Sequence, residues 1–258
     1  MPLLDVKNLT MRFEGLVAVS DFSLTMGEHD LVGLIGPNGA GKTTIFNMLT
    51  GVRTPTEGTI VFAGEDITKI KPYQITKKRI ARTFQNIRLF KNISVLDNVK
   101  ISFNFRVEYN LVDSILRLPK FFKEEEEIEK KAIELLKIFK LDAKKDELAA
   151  NLPYGEQRRL EIARALAASP KLLLLDEPAA GMNPQETQEL TELIKWVKNE
   201  YKISILLIEH DMKLVMNLCE RIVVLDYGKK IAEGTPEEIK TNKQVITAYL
   251  GDDEDAQD

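Results

Sequence analysis

The sequence predicts an α/β fold with a mixed, mostly parallel sheet at its core, an antiparallel β subdomain and an inserted helical subdomain. Three observations predict it. Short apolar runs such as "DLVGLIG", "KLLLLD" and "ISILLIE" alternate with helical patterns, as buried parallel strands do. Alternating polar and apolar residues near the N-terminus are typical of half-buried antiparallel strands. A charged amphipathic stretch in the middle of the chain has the period of helices.

The chain has 258 residues, enough for one large domain or two small ones. The strand pattern covers residues 1–85 and returns over 159–250, so we assign these two ranges to one core that includes the β subdomain. The range 86–158 is assigned to the helical subdomain. The end, "GDDEDAQD", is predicted to be a frayed acidic tail over 251–258, with an interaction tail as the minor alternative.

Composition restricts the class of function. Hydrophobic residues make up 44% of the chain and charged residues 29%, and the net charge of -4 gives no reason to expect a nucleic acid partner. The one cysteine, Cys219, leaves no internal disulfide possible, in keeping with a reducing compartment. We see no signal-peptide profile and no apolar run near the roughly 20 residues that cross a bilayer. We therefore expect a soluble protein whose link to a membrane goes through a partner.

The first third of the chain is predicted to consist of strands around one helix. The stretches "LLDVKNLTMRF" and "VSDFSLTM" alternate like half-buried strands. "DLVGLIG" is a short apolar strand that runs into a glycine-rich loop, and "TIFNMLTGV" continues as a helix that ends near Gly51. "TEGTIVFAGEDI" is a further strand with turn signals on both sides.

The middle of the chain changes to helical spacing. "LFKNISVLDNVKISF" and "FFKEEEEIEKKAIELLKIFKL" are predicted as helices, and the Glu run 124–127 followed by Lys130 and Lys131 indicates a solvated face with i,i+4 ion pairs. From residue 159 onward the pattern alternates again. It predicts a helix, the strand "KLLLLD", the helix "PQETQELTELIKWVKNE", the strand "ISILLIE", a helix and the strand "RIVVLDYG".

The stretch "GPNGAGKTT" has the G-x-x-x-x-G-K-[ST] spacing of a phosphate-binding loop and stands between a strand and a helix. Gly39 and Gly41 would let backbone N–H groups close around phosphates, and Lys42 would reach the outer phosphates. The Thr43 hydroxyl is of the kind that ligates Mg²⁺, and Thr44 can add a phosphate contact. An ordinary glycine turn is the alternative, but it does not require the complete pattern.

Two adjacent carboxylates end the strand "KLLLLD", at the edge where α/β sheets hold their ligands. Asp176 suits the Mg²⁺ shell, and Glu177 can polarise an attacking water. The alternative is a pair of solvated loop acids. The neighbouring phosphate loop favours the functional interpretation.

Three further side chains have both a functional and a structural interpretation. His210 follows the strand "ISILLIE" and is either a polar strand cap or a donor beside a γ-phosphate. Gln85, where strands give way to helices, is either a surface amide or a contact to metal or water. Phe13 is either a core aromatic residue, which composition favours, or a ring that stacks on a base. His29, in "GEHD", is interpreted as exposed and structural.

A second candidate anion site lies in "NLPYGEQRRLEIARAL", where Gly155 stands at the start of a predicted helix. The N–H groups at a helix start are suited to hold phosphate. The chain thus has two candidate phosphate sites more than a hundred residues apart.

These motifs, in this order, resemble the ATP-binding cassette (ABC) family over nearly the whole chain. The matching segments are the Walker A loop at 36–44, the glutamine loop at Gln85, the signature at 152–157, the Walker B strand at 172–177 and the switch histidine, His210. The resemblance implies that two cassettes pair head to tail, with ATP between the Walker A loop of one and the signature of the other. "LPYGEQ" would then serve the partner's nucleotide.

The resemblance also implies the ligands and the residues that hold them. ATP or ADP and Mg²⁺ are the implied ligands. The implied nucleotide contacts are Phe13, Ala18, Asn38, Gly39, Ala40, Gly41, Lys42, Thr43 and Thr44, with Leu152, Pro153, Tyr154, Gly155, Glu156 and Gln157 acting in trans. The implied metal contacts are Thr43, Gln85 and Asp176, and the implied catalytic residues are Glu177, His210, Gln85 and Lys42.

A finer resemblance rests on "RTFQNIRLF", "LPYGEQRRLEIARAL", "DEPAAGMNP", "LLIEHDMKLVM" and "AYLG". These stretches look like the ATPase subunit of bacterial branched-chain amino acid importers. The resemblance implies ATP hydrolysis that powers import, beside a second cassette subunit and two membrane permease subunits, with a substrate-binding protein as an indirect partner. It implies a cytoplasmic position on the inner face of the cell membrane, through the permeases.

Two departures from the general family pattern stand out. Pro153 replaces the signature serine and Tyr154 replaces its first glycine, so the Gly155 N–H and the helix N-terminus must carry the contact to the partner's γ-phosphate. Asn183 stands where the family usually has Asp. The main alternative function is a soluble ABC ATPase of an assembly system, such as iron–sulfur cluster assembly. A P-loop kinase is disfavoured by the signature and by Glu177.

Overall fold

The structure is a computed structural model that describes residues 1–103, 113, 116 and 119–250. Its strands, in chain order, are β1 (Leu4–Phe13), β2 (Leu16–Met26), β3 (Leu31–Ile35), β4 (Glu57–Phe62), β5 (Glu65–Asp66), β6 (Ile80–Arg82), β7 (Leu172–Asp176), β8 (Ser204–Ile208), β9 (Arg221–Asp226) and β10 (Lys229–Gly234). The α-helices are α1 (Lys42–Leu49), α2 (Pro72–Lys77), α3 (Val95–Phe103), α4 (Pro119–Ile138), α5 (Tyr154–Ala167), α6 (Pro184–Tyr201), α7 (Met212–Leu218), α8 (Pro236–Thr241) and α9 (Lys243–Leu250).

A six-stranded sheet in the order β10-β9-β3-β8-β7-β6 forms the core. Its strands from β9 to β6 pair in parallel, and β10 pairs antiparallel to β9. All residues of β3, β7 and β8 are buried, which explains why these strands are almost wholly apolar in sequence. The predicted mixed, mostly parallel core sheet is confirmed.

Alternate residues of the core sheet pack into two different apolar clusters. Leu173 and Leu175 of β7 pack with α3, α4 and α5 on one face. Leu172 and Leu174 pack on the other face with α1 and a second sheet. That second sheet has four antiparallel strands in the order β2-β1-β4-β5 and is the predicted antiparallel β element. The central sheet is therefore covered on both faces, as a parallel sheet requires.

The helices agree with the sequence in kind but less well in their ends. The predicted helix over "LFKNISVLDNVKISF" is wrong in its first part, because α3 begins only at Val95. Ser94 precedes it, and the Ser94 Oγ accepts a hydrogen bond from the Asp97 N–H at 3.0 Å, which is how a capping serine starts a helix. The expected i,i+4 pairing on α4 is present between Lys130 and Glu126, at 2.6 Å.

Several expectations about organisation stay predictions. Part of the proposed helical subdomain, 104–112, 114–115 and 117–118, lies outside the described residues, as does the proposed acidic tail 251–258. The division of the chain into a core and an inserted subdomain also stays a prediction. Among the residues that the structure describes, no helix is both long and apolar enough to cross a membrane.

Candidate nucleotide site

The glycine-rich loop joins β3 to α1 and is packed tightly between two other segments. Gly41 precedes α1 with φ +101°, and a Cβ atom there would lie 2.7 Å from the Ala18 backbone oxygen. A Cβ atom at Gly36 would lie 2.1 Å from the Leu225 backbone oxygen. Only glycine avoids both the left-handed strain and these contacts. The loop is thus held with its backbone close to β2 and to the end of β9.

Lys42 is the first residue of α1 and is 8% exposed. Its Nζ donates to the backbone oxygens of Gly36 at 2.6 Å and of Pro37 at 2.9 Å. Burial lowers the pKa of Lys42, while the carboxylates of Glu177 and Asp176 act in the opposite direction. The ammonium group therefore lies inside the loop, within the field of both Walker B carboxylates.

Asp176 ends β7 and is held by an arginine that sequence reasoning missed. The Arg82 Nη2 donates to the Asp176 Oδ2 at 2.7 Å, and the two side chains are 6% and 4% exposed. The Arg82 Nη1 donates to the Asn47 Oδ1 at 2.8 Å and to the Thr50 Oγ1 at 3.3 Å. These bonds connect the end of β6 to both β7 and α1. A charged residue in the short run "IAR" beside apolar strands was the available signal, because a buried charge needs a partner.

Glu177 brings together the side chains that the sequence predicted to be catalytic. It has φ +48°, and its N–H donates to the Ile208 backbone oxygen at 2.9 Å. The Gln85 Nε2 donates to the Glu177 Oε2 at 2.9 Å, and the His210 Nδ1 lies 3.6 Å from the same oxygen. Gln85, Glu177 and His210 thus meet at one edge of the sheet.

Glu209 is a second buried carboxylate beside this group, and sequence reasoning missed it. It is 1% exposed, its Oε1 accepts from the Ala179 N–H at 2.9 Å and its Oε2 accepts from the His210 N–H at 3.2 Å. Burial raises the pKa of Glu209, and these backbone donors lower it. The side chain therefore ties the loop after Glu177 to the loop that carries His210. Its position directly after an apolar strand was the same signal that identified Asp176.

Phe13 ends β1 and is 39% exposed, so the alternative that it is a core aromatic residue is wrong. The Arg53 guanidinium carbon lies 5.7 Å from the ring centroid. β1 ends next to the start of β2, and β2 carries Ala18, which borders the glycine-rich loop at Gly41. The ring is therefore available for stacking at a strand end that leads to the loop.

The signature stretch begins α5. Pro153 precedes the helix, and Tyr154, its first residue, is 46% exposed. Gly155 is buried, and a Cβ atom there would lie 2.9 Å from the Glu186 Oε1. A larger residue would displace that carboxylate, so Gly155 permits the close approach of α5 and α6.

The two polar side chains of the signature bind groups within their own chain. The Glu156 Oε2 accepts from the Lys144 Nζ at 2.7 Å, and the Gln157 Nε2 donates to the Leu152 backbone oxygen at 2.8 Å. Backbone N–H groups at the start of α5 remain the candidate donors for an anion. The structure contains one copy of the chain, so the contacts expected in trans stay predictions.

Asn183 has a local role that its sequence position did not reveal. Its Oδ1 accepts from the Glu186 N–H at 3.0 Å, and the Asn183 N–H donates to the Glu186 Oε2 at 3.0 Å. This reciprocal capping box fixes the start of α6. Asn and Asp cap helices about equally well, so the replacement of the family's Asp leaves this local structure intact.

The residues present suit a magnesium-bound nucleotide rather than a metal held by protein alone. No group of three or more His, Cys, Asp or Glu side chains able to hold a metal ion occurs among the described residues. The candidate donors are the Asp176 carboxylate and the Thr43 hydroxyl, at the end of β7 and the start of α1. Mg²⁺ is commonly bound by one or two such oxygens together with substrate phosphates.

Comparison with known families and proteins agrees with this geometry. Residues 19–180 match the family model described as "ABC transporter", and residues 229–255 match that of the "Branched-chain amino acid ATP-binding cassette transporter". BraF of Pseudomonas aeruginosa, a high-affinity branched-chain amino acid transport ATP-binding protein, is 45% identical over 97% of this chain and 98% of its own. LivG of Salmonella typhimurium, of the same description, is 47% identical over the same shares. LptB of Haemophilus influenzae, from a lipopolysaccharide export system, is 36% identical over 98% of each chain.

Solved structures show the same fold. An ATP-binding cassette in its ADP conformation superposes with a TM-score of 0.84 at 31% identity, over 97% of this chain and 99% of that chain. A nucleotide-free cassette gives a TM-score of 0.83 at 32% identity, over 97% and 100%. A dimeric cassette in a post-hydrolysis state with ADP and Pi gives a TM-score of 0.77 at 25% identity, over 90% and 98%. The family model covers more than half of the chain, and the curated relatives span nearly all of it. The chain belongs to the ABC transporter family, as one of its ATP-binding cassette ATPases.

Proposed function

We propose that this chain is the ATP-hydrolysing subunit that powers an importer of branched-chain or related hydrophobic amino acids. The observation that carries the hydrolytic assignment is the meeting of Gln85 and His210 at the Glu177 carboxylate, beside the glycine-rich loop and the buried Asp176. The cargo class is supported by two relatives of that description, which match 97% of the chain at 45% and 47% identity.

In the proposed mechanism the glycine-rich loop binds the phosphates of ATP. Backbone N–H groups of Asn38, Gly39, Ala40, Gly41, Lys42, Thr43 and Thr44 cradle them. The Lys42 ammonium group exchanges the carbonyl oxygens of Gly36 and Pro37 for the outer phosphates. Asp176 and Thr43 would hold Mg²⁺, with Gln85 as a further contact, and the ion would supply positive charge that stabilises the phosphate oxygens. Phe13 stacks on the base, with Ala18 beside the loop.

Glu177 then accepts a proton from the attacking water. Its Oε2 is held by the Gln85 Nε2 at 2.9 Å, so the carboxylate is oriented before the reaction. The His210 side chain, 61% exposed and 3.6 Å from the same oxygen, donates to the γ-phosphate as negative charge develops there. The Glu209 bridge between Ala179 and His210 keeps both loops in place during this step.

Hydrolysis is proposed to require a second cassette, of the same or of a different kind. The signature, 152–157, contacts the γ-phosphate of the partner's ATP through the backbone N–H groups of Tyr154, Gly155 and Glu156, because Pro153 has no N–H and the N–H groups at the two ends of the stretch donate within the chain. ATP binding closes the pair, and hydrolysis reopens it. Two permease subunits transmit these movements into the membrane. The chain would then lie on the cytoplasmic face of the cell membrane, bound to the permeases. A substrate-binding protein is the indirect partner. We assign the cargo pocket to the other subunits rather than to this chain.

The identity values favour amino acid import over the other transport system among the relatives. The two branched-chain amino acid proteins are 45% and 47% identical, and the lipopolysaccharide export protein is 36% identical over a similar length. The segment 229–255 also matches the branched-chain amino acid family model. Nothing in the part of the chain that the structure describes favours a soluble assembly ATPase.

The experiment that tests the proposal begins with purification of the tagged chain from solubilised membranes and identification of the subunits that accompany it. We expect two permeases and a second cassette. The complex is then reconstituted in liposomes with its binding protein, and uptake of radiolabelled leucine, isoleucine and valine is measured with and without ATP. A complex that contains no permease, or that hydrolyses ATP without any leucine, isoleucine or valine uptake, would refute the import assignment.

The hydrolytic assignment is tested in the same complex by Glu177→Gln and Lys42→Ala. Glu177→Gln should keep its ATP affinity while turnover falls by about 10²- to 10⁴-fold, the usual contribution of a general base. Lys42→Ala should lose most of its ATP affinity or its turnover. Glu200→Gln, an exposed residue of α6, is the matched control and should keep both. Normal turnover in Glu177→Gln would refute the role given to this carboxylate.

A further inference from the structure

A buried arginine connects the signature helix to the glutamine loop. Arg158 stands one turn into α5 and its side chain is 0% exposed. Its Nη1 donates to the Phe84 backbone oxygen at 2.6 Å and to the Glu161 Oε2 at 2.9 Å. Its Nη2 donates to the Gln85 backbone oxygen at 2.7 Å and to the Tyr154 Oη at 3.2 Å. One guanidinium group thus binds both the glutamine loop and the first residue of the helix.

Glu161 extends this contact to the other side of Gln85. Its side chain is 1% exposed, and its Oε1 accepts from the Arg88 N–H at 3.0 Å. The ion pair between Arg158 and Glu161 therefore fixes the backbone of the glutamine loop at residues 84, 85 and 88. We call these two side chains the loop clamp.

The loop clamp is not explained by stability alone. Removing both charges of an ion pair from water costs free energy that offsets their mutual attraction. A protein with an apolar pair of similar volume at the same place is often at least as stable. The Arg158 Nε is also buried without a hydrogen-bond partner in the described part of the chain. What an apolar pair could not do is hold three backbone groups of a loop in one arrangement.

The clamp lies in the middle of a continuous series of hydrogen bonds. At one end the Gln85 Nε2 donates to the Glu177 Oε2 at 2.9 Å. At the other end Tyr154 is 46% exposed, and its ring lies so close to Gly181 that a Cβ atom there would be 3.1 Å from the Tyr154 Cε1. The carboxylate of this chain's own site is thus connected through Gln85 and Arg158 to the exposed tyrosine of the signature.

We propose that Arg158 and Glu161 are positioning residues that make the glutamine loop and the start of α5 move as one body, with the Tyr154 hydroxyl as the outer attachment. The occupancy of a chain's own nucleotide site would thereby set the position of the signature that it presents to its partner. This inference rests on the proposed function for its consequence in the dimer. The mechanical link itself is a property of the single chain.

The link is tested first in the single chain by hydrogen exchange, with a non-hydrolysable ATP analogue and Mg²⁺, at a concentration where light scattering shows a monomer. In the wild type, binding should change the exchange of residues 84–88 and 154–161 together. Arg158→Lys keeps the charge but loses the forked donor, and Glu161→Gln keeps the shape but loses the charge. In both variants the analogue should still change hydrogen exchange at residues 84–88, and its effect on exchange at residues 154–161 should fall by at least half. An undiminished joint response in both would overturn the proposal.

Tyr154→Phe provides a test that does not disturb the buried pair, so it remains informative should the clamp variants fail to fold. It removes only the hydroxyl that accepts from Arg158. Tyr73→Phe, at another exposed tyrosine, is the matched control. In the reconstituted complex Tyr154→Phe should lower kcat about three- to tenfold with the KM for ATP and the melting temperature of the chain unchanged, and Tyr73→Phe should change none of them. A response equal to that of Tyr73→Phe would contradict the attachment at Tyr154.

The two proposals fail in different ways. Absence of leucine, isoleucine and valine uptake in the wild-type complex would contradict the import function and leave the exchange result on the single chain standing. A wild-type chain whose segments 84–88 and 154–161 respond separately to the bound analogue would overturn the clamp, whatever the cargo. Coupling between two sites commonly changes ligand affinity by about 5- to 150-fold, and a link of that size is large enough for these measurements to detect.

Discussion

The buried pair of Arg82 and Asp176 makes a sharp prediction about stability. Arg82→Ala removes the donor to the Asp176 Oδ2 and leaves that carboxylate buried, with 4% of its side chain exposed. The change also removes the donors to Asn47 and Thr50. A buried charge that has lost its partner is the most destabilising outcome for such a pair.

The expected loss is about 3–5 kcal/mol in the free energy of unfolding, the usual range when one partner of a buried pair is removed. Arg79→Ala is the matched control, because Arg79 is exposed and its Nε donates to the Ser169 backbone oxygen at 2.8 Å. Water can solvate the exposed guanidinium once this contact is lost, and exposed charged contacts of this kind contribute only about 0–1 kcal/mol. The two variants should therefore differ by at least about 2 kcal/mol.

Urea denaturation followed by circular dichroism measures both variants, and equal m-values ensure that the midpoints can be compared. The double variant Arg82→Met with Asp176→Leu should recover most of the loss, since an apolar pair carries no unpaired charge. The reasoning is refuted if Arg82→Ala is no less stable than Arg79→Ala, or if the double variant is as unstable as Arg82→Ala.

Three other predictions follow from single contacts. Phe13→Ala should raise the dissociation constants of ATP and GTP equally, because stacking involves the ring face. Equilibrium titrations should show that both nucleotides lose about 1–3 kcal/mol of binding free energy. An effect on ATP alone would exclude stacking. Burial raises the pKa of Glu209 above its ordinary 4.5, so the native state holds this proton more tightly than the unfolded state. As the pH rises above about 4.5, the wild type should lose stability relative to Glu209→Gln, by about 1.4 kcal/mol per unit of pKa shift, until the pH passes the native pKa. Urea titrations between pH 4 and 8 measure this difference in stability between the wild type and Glu209→Gln. A difference that stays constant with pH would contradict the prediction. Gly155→Ala should displace the Glu186 carboxylate, which would lie 2.9 Å from the added Cβ, and so weaken the α6 cap by about 1 kcal/mol. The higher helix propensity of alanine should stabilise α5 by about 0.5–1 kcal/mol and so offset most of this loss. Calorimetry should show little change in melting temperature, and ATPase of the complex should fall; full ATPase would show that close approach at Gly155 is unnecessary.

The fold was predictable where one local pattern determines the structure. The strands β3, β7 and β8 are almost wholly apolar because both of their faces are covered, and the sequence shows this directly. The strand order was not predictable from these patterns. β3 pairs with β8 and β9, which lie far away along the chain, and no local signal states which strands become neighbours.

The candidate site was predictable in its motif residues and less so in the residues that hold them. The positions of Lys42, Asp176 and Glu177 follow from spacing after a strand. Arg82 and Glu209 are single charged residues in short runs, and their roles depend on which backbone groups the tertiary fold brings to them. Arg158 is similar, because its partners at residues 84 and 85 are about 70 positions away.

The place of β3 in the sheet has a consequence for the synthesis of the chain on the ribosome. This strand carries the glycine-rich loop, yet its two neighbours are β8 and β9, which end at Ile208 and Asp226. At about 5–20 residues per second, roughly 10 to 40 seconds separate the emergence of the loop from that of the last neighbouring strand. During this time an apolar strand has no partner on either edge and is open to aggregation or to a chaperone. The loop, although made early, acquires its rigid support only after nearly the whole chain has been translated.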